Sequence, residues 1–321
     1  MRRHTILFLG GSGFLGRNVL AFYEASGVFL GKDVHFIVAG NSQKSGHRSG
    51  GERVTYVRAD YADAGTIRQL FEQYKPDEVF HFVSATVPAN SNQNIRHDIE
   101  TNLLGTIAVL ECMVQYQVGR ITYLSSGGAI YGDMPKSKFQ EDDFNIPNNS
   151  YGIVKLTIEK YIHLFHKLYG IDYLILRVSN PFGVYHVSQQ NGLINIALRR
   201  AVKGESIAVW GDGLNTKDYL FAGDFARIFW ALYQKGVKNQ ILNIGSGKLY
   251  SILDILTAIQ EMIPDLRWTF EPAKSFDTKN VSFSLEALQK IMPLTNTDFR
   301  EALRATWEWE RSQHLKTVSA S

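Results

Sequence analysis

The chain has 321 residues, 45% of them hydrophobic and 20% charged, an ordinary globular composition that excludes a disordered or fibrous polymer. Lysine and arginine total 34 against 31 aspartates and glutamates; this mild excess is spread along the chain and is not the clustered basic footprint of a nucleic-acid binder. The single cysteine, Cys112, cannot form an internal disulfide and sits in the apolar run LLGTIAVLECMV, where it reads as buried filling.

Apolar strand-like runs alternate with amphipathic helical stretches through the first half. Strands are predicted over 5–9, 34–38, 54–58, 78–83, 121–124 and 173–176, and helices over 14–24, 64–74, 99–116 and 151–169. Continuous apolar strands separated by helices imply a parallel sheet covered on both faces, that is, an α/β doubly wound architecture of Rossmann type. After Asn180 the pattern changes. Pro181 and Gly183 break it, the loop VYHVSQQNG follows, and helices (193–202, 224–235, 252–262, 285–291, 299–310) mix with short strands (207–209, 241–244, 268–270). The expected layout is a dinucleotide-binding domain over 1–180 and a smaller mixed α/β lobe over 181–321 that binds substrate, with segments such as 218–235 packing back on the first domain. No stretch approaches the ~18 apolar residues of a membrane span, and the ILFL run near the start is too short for a signal-peptide core, so a cytoplasmic protein with no membrane partner is expected.

The first strand runs into Gly10-Gly11-Ser12-Gly13-Phe14-Leu15-Gly16 and then a helix. Small residues permit a tight turn, the backbone can approach a pyrophosphate, and the helix N-terminus offers free N–H groups. Gly10, Gly13, Phe14, Leu15 and Gly16 are therefore candidate cofactor contacts. An acid ending the second strand would grip the adenosine ribose of NAD. Here Asn41, Ser42 and Lys44 stand in that region with no carboxylate, which favours NADP over NAD because these residues could hydrogen-bond or neutralise a 2′-phosphate. Asp60 and Tyr61, closing the third strand, are candidates for the adenine end. Ser84 and Thr86, after the fourth strand, face the expected crevice, as contacts to cofactor and substrate respectively. Nine histidines show no paired ligand spacing, so no metal is expected.

Tyr151 and Lys155 lie four apart on one helix and share a face. An ammonium near a phenol favours the phenolate, so this pair is expected to form an acid/base for moving a hydroxyl proton, with Lys155 lowering the phenol pKa.

With these motifs in order, the chain resembles the extended short-chain dehydrogenase/reductases that act on nucleotide sugars. The resemblance rests on Gly10-xx-Gly13-xx-Gly16, Asp77-Glu78-Val79-Phe80-His81, Asn102-Leu103-Leu104-Gly105-Thr106, Leu124-Ser125-Ser126-Gly127-Gly128-Ala129-Ile130-Tyr131-Gly132, the Tyr151/Lys155 pair, Arg177-Val178-Ser179-Asn180-Pro181-Phe182-Gly183 and Gly211-Asp212-Gly213 through Lys217-Asp218. It implies that Tyr151 is the acid/base, Lys155 its partner and ribose anchor, and Ser126 (or Ser125 beside it) the substrate-hydroxyl partner, in the place of a Ser/Thr that the family carries one position later. Asn180 and Lys217 are implied as substrate contacts near the phosphates, with Lys274 as a further cation; lysine stands at Lys217 where the family usually has arginine. The resemblance also implies a homodimer. The function expected is NAD(P)-dependent epimerisation at C4 of a nucleotide diphosphate hexose through a 4-keto intermediate. An NADPH-dependent 4-keto-sugar reductase is the enzyme alternative, and a non-catalytic NAD(P)-sensing protein is the alternative of another class. A 4,6-dehydratase is disfavoured, because Gly128-Ala129 stand where that chemistry has an Asp-Glu pair.

Overall fold

The computed structural model describes residues 3–27, 33–41, 53–132, 136, 138–189, 191–272 and 282–318. The first half alternates as the apolar pattern requires: β1 (His4–Leu9), α1 (Phe14–Ser26), β2 (Val34–Gly40), β3 (Val54–Arg58), α2 (Ala64–Tyr74) and β4 (Glu78–His81). A short helix α3 (Ile95–Asp98) then leads through a wider, π-type turn (Ile99–Leu104) into α4 (Gly105–Gln115). The single helix expected over 99–116 is thus two segments, its first part widened where a buried asparagine, Asn102, must reach neighbouring loops. β5 (Arg120–Ser126), the short α5 (Gly127–Ile130), α6 (Ser150–Tyr169) and β6 (Asp172–Val178) complete this half.

The second half holds β7 (Asn180–Phe182), α7 (Leu193–Val202), β8 (Ile207–Trp210), β9 (Thr216–Phe221), α8 (Ala222–Gln234), β10 (Gln240–Ile244), β11 (Leu249–Ser251), α9 (Ile252–Met262), β12 (Trp268–Glu271), α10 (Glu286–Ile291) and α11 (Phe299–Val318). The main sheet has seven parallel strands in the order β10-β6-β5-β4-β1-β2-β3. Its alternation is visible in β1: Ile6 and Phe8 enter the core on one face, Leu7 and Leu9 the core on the other. The α/β doubly wound arrangement therefore holds. β10 comes from the second half yet extends this sheet, and α8 packs on α1, with Trp230 Nε1 donating to Val19 O at 2.8 Å. A three-stranded sheet (β11-β9-β7), a two-stranded one (β12-β8) and helices α7, α9 and α11 enclose a separate core around Ile194, Leu198, Ile255 and Leu303. Among the described residues, no helix is long and apolar enough to cross a membrane, and no cluster of three or more His, Cys, Asp or Glu could hold a metal ion.

Candidate active site

Strand order reverses at β1, which lies between β4 and β2, and the loops leaving β1 and β4 diverge there. A cavity of about 610 Å³ opens at the carboxyl ends of β1, β4, β5 and β6 and is closed on the far side by residues of β7, β9 and the start of α7. Gly10, Gly13, Phe14, Leu15, Gly16, Ser125, Ser126, Tyr151, Asn180 and Lys217 all line it.

The glycine turn is built for close approach. Gly10 has φ +79°, and a Cβ there would sit 2.8 Å from Val83 N. A Cβ on Gly16 would lie 2.5 Å from Gly11 Cα, so only glycine lets α1 seat on the turn. The helix starts at Gly13 with no side-chain cap, leaving its first N–H groups to a ligand. The uncapped helix, the glycine cradle and the cavity volume together fit a dinucleotide with its pyrophosphate on α1.

Tyr151 is the second residue of α6. The start of that helix is fixed by Asn149 Oδ1, which accepts from Gly152 N (2.8 Å), and by Asn92 Oδ1, which accepts from Ser150 N (2.8 Å). The phenol and the Ser126 hydroxyl at the end of β5 line the same cavity, and the hydroxyl is close enough to act on the phenol's acidity. Lys155 is buried; its Nζ donates to Leu124 O (2.8 Å) and lies 5.7 Å from the Tyr151 ring centroid. Ser125, although on the cavity wall, donates its hydroxyl to Glu159 Oε1 (2.5 Å). Glu159 is also gripped by the buried Arg177, Nη2 to Oε2 at 2.8 Å and Nε to Oε1 at 3.2 Å. The two serines thus differ in their partners: one meets the phenol, the other an internal ion pair.

Burial pushes the Tyr151 phenol up to about 12, with the Ser126 hydroxyl opposing it and the charge of Asp98 adding to it. Burial likewise brings the Lys155 ammonium down to about 8, opposed by the negative charges of Glu159 and Asp98. In the protein alone, burial is the largest influence on both groups, and it acts against the phenolate and against the ammonium.

Other predicted residues stand elsewhere. Asn41 is exposed at the end of β2, and Asp60 is exposed with Oδ1 accepting from Ala62 N. Tyr61 is buried and donates to Asn102 Oδ1 (2.6 Å). Ser84 Oγ donates to Thr86 O (3.1 Å), and Thr86 is buried with its own hydroxyl donated to Asp98 Oδ1 (2.6 Å). None of these five is in the cavity lining. Asn180 Nδ2 donates to Asp218 O (2.9 Å) from the wall. Ser42, Lys44 and Lys274 lie outside the described residues. The sequence reading passed over His186, whose ring packs edge-on against Phe14 (4.9 Å between centroids) and lines the cavity with Ser188 and Asn191. The loop VYHVSQQNG that carries it was visible only as a break in pattern.

A sequence model described as the NAD dependent epimerase/dehydratase family matches residues 6–245. The chain belongs to that family. A relative from Methanocaldococcus jannaschii, provisionally named a UDP-glucose 4-epimerase, is 32% identical over 96% of this chain and 99% of its own. The UDP-glucose 4-epimerase of Thermotoga maritima, solved with UDP-glucose, superposes with a TM-score of 0.87 at 25% identity, covering 97% of this chain and 99% of its own. That of Thermus thermophilus, solved in complex with NAD, has a TM-score of 0.86 at 26% identity, covering 96% of this chain and 99% of its own. The chain is accordingly an NAD-dependent enzyme of the epimerase/dehydratase family, with the extended short-chain dehydrogenase/reductase fold.

Proposed function

We propose that this enzyme epimerises C4 of a nucleotide diphosphate hexose, with UDP-glucose as the first substrate to test. The observation that carries the reading is that Tyr151 and Ser126 line one wall of a cavity that also holds the uncapped α1 turn. In this reading Gly10, Gly13 and the first turn of α1 hold the cofactor pyrophosphate. When bound, the oxidised nicotinamide would supply a hydride acceptor and a positive charge. Tyr151 takes the C4 hydroxyl proton and returns it after the 4-keto sugar has turned. Ser126 orients that hydroxyl, and Lys155 stabilises the phenolate. Asn180 and Lys217 hold the sugar-nucleotide end, in the lobe formed mainly by residues after 181.

The cofactor reading is NADP ahead of NAD, supported by the end of β2, where Ala39-Gly40-Asn41 offers no carboxylate to a ribose 2′-hydroxyl. The same feature supports the second reading, an NADPH-dependent 4-keto-sugar reductase. The reading extends to a cytoplasmic homodimer assembled through α4 and α6. One experiment separates the two activities: UDP-glucose is incubated with the enzyme and a catalytic quantity of either cofactor. Appearance of the C4 epimer, faster with NADP, is expected. No conversion, together with stoichiometric NADPH loss on a 4-keto sugar nucleotide, makes the chain a reductase instead.

A further inference from the structure

Lys155 is buried, and burial disfavours its charged form. Its Nζ donates to Leu124 O (2.8 Å), an acceptor without charge. The same Nζ lies over the ring of Tyr123, 4.8 Å from the centroid and nearer than to the ring of Tyr151 at 5.7 Å. A cation within about 6 Å of an aromatic centroid is drawn to the negative face of the ring, and the attraction is strongest where water is excluded. Tyr123 has no exposed surface.

Strand and helix periods produce this contact. Tyr123 and Ser125, two apart on β5, share a face of the sheet, and Lys155 and Glu159, four apart on α6, share a face of the helix. Tyr123 meets Lys155 as Ser125 meets Glu159. The ring is held by His81, its register partner on β4, which packs nearly perpendicular to it (81°, 5.5 Å between centroids). Thr106 Oγ1 gives its one proton to Asn102 O (2.6 Å), so across the 3.0 Å contact with Thr106 the donor is His81 Nε2. The hydroxyl of Tyr123 does not account for a tyrosine here: it is buried and, among the described residues, has no hydrogen-bond partner. Burial holds the phenol far above its ordinary value, so Tyr123 is neutral and offers the ammonium its ring, not a phenolate. The other groups facing Lys155 are Tyr151 and Glu159 on its own helix, His81 on β4 and Asp98 on α3. Burial holds His81 neutral, down at about 3. Glu159 is bonded to Arg177 and Ser125, and Asp98 accepts from Thr86, Asn102 and Ser150.

We infer that Tyr123 is a positioning residue: its ring is an aromatic platform for Lys155 that keeps the ammonium charged and in place, one helical turn from Tyr151. The inference deepens the reading of Tyr151 and Lys155 given above and rests on it. It explains how a buried ammonium keeps its charge when its hydrogen-bond acceptor is neutral.

The test reads Lys155 directly and needs no substrate. The full chain, labelled with 13C at lysine Cε, is titrated by NMR, the Lys155 signal being assigned as the one missing from Lys155→Met. Tyr123→Leu removes the ring face and stays apolar, so the Lys155 proton should leave at a pH lower by about one unit. Tyr123→Phe keeps the ring and deletes only an unpartnered hydroxyl, so its midpoint should match the wild type. An unmoved or raised midpoint in Tyr123→Leu overturns the inference, and so does a midpoint in Tyr123→Phe that falls as far as in Tyr123→Leu. Should Tyr123→Leu not fold, Tyr123 is replaced by phenylalanines carrying progressively more ring fluorines, which drain the negative face at nearly constant volume. The midpoint should then fall along the series, and equal midpoints throughout overturn the inference. Failure here shows in the titrations, whereas failure of the epimerase reading shows as absent turnover with the titrations as expected.

Discussion

Two adjacent serines close β5, and their side chains have different work. Ser126 meets the Tyr151 phenol; Ser125 is held by Glu159 inside a pair with Arg177. Ser126→Ala is therefore expected to cut turnover by about a hundredfold with little change in stability. Ser125→Ala should leave turnover close to wild type and lower unfolding free energy by about 1–2 kcal/mol, because a buried carboxylate loses a donor. Steady-state rates and urea unfolding check both, and exchanged outcomes would exchange the roles. The sequence left this choice open, since adjacent residues on a strand point to opposite faces and nothing local says which face holds the substrate. The Tyr151/Lys155 pair was legible because four-residue spacing on a helix places both on one face. Its electrostatics were not: the spacing says nothing of burial, and burial decides the direction of both shifts.

The elements whose signals are local agree with the sequence reading: the helix of 64–74 starts and ends at the residues expected, and β3 likewise. The ones that escaped are short or depend on distant partners. β7 contains Pro181 and is three residues long; β11 is three residues long and pairs antiparallel with β9 only through Leu249–Ser251. The turn of Ile99–Leu104 read as ordinary helix because its apolar spacing is compatible with one; its opening belongs to Asn102, which serves Ala85, Tyr61 and Asp98 at once. On α6, Ile153, Tyr161, Leu164 and Leu168 form an exposed apolar stripe along one face of the helix. This stripe is the element behind the proposed homodimer. Light scattering should give twice the chain mass of 36.3 kDa, and Leu164→Glu should return the protein to a single chain. A wild-type protein that stays single at micromolar concentration contradicts the dimer.

At the scale of the whole molecule, the alternating half predicts its own topology, because a parallel strand needs a crossover helix and the crossovers share one hand. The return of β10 to the main sheet was invisible, since a single short strand carries no record of which sheet it joins. Topology also explains why one cavity collects residues as distant in sequence as Gly10 and Lys217: the carboxyl ends of β1, β4, β5 and β6 converge there, and β7 and β9 close it. The proposed chemistry depends on the phenol at that convergence. The direct measurement is fluorescence of reduced nicotinamide after cofactor-loaded enzyme is mixed with UDP-glucose, for wild type and Tyr151→Phe. The wild type should show a reduced-cofactor transient followed by the C4 epimer, while the variant should bind cofactor equally and show turnover lower by about a thousandfold. A variant that reduces cofactor and forms epimer as fast as the wild type would remove Tyr151 from the chemistry and with it the proposed mechanism.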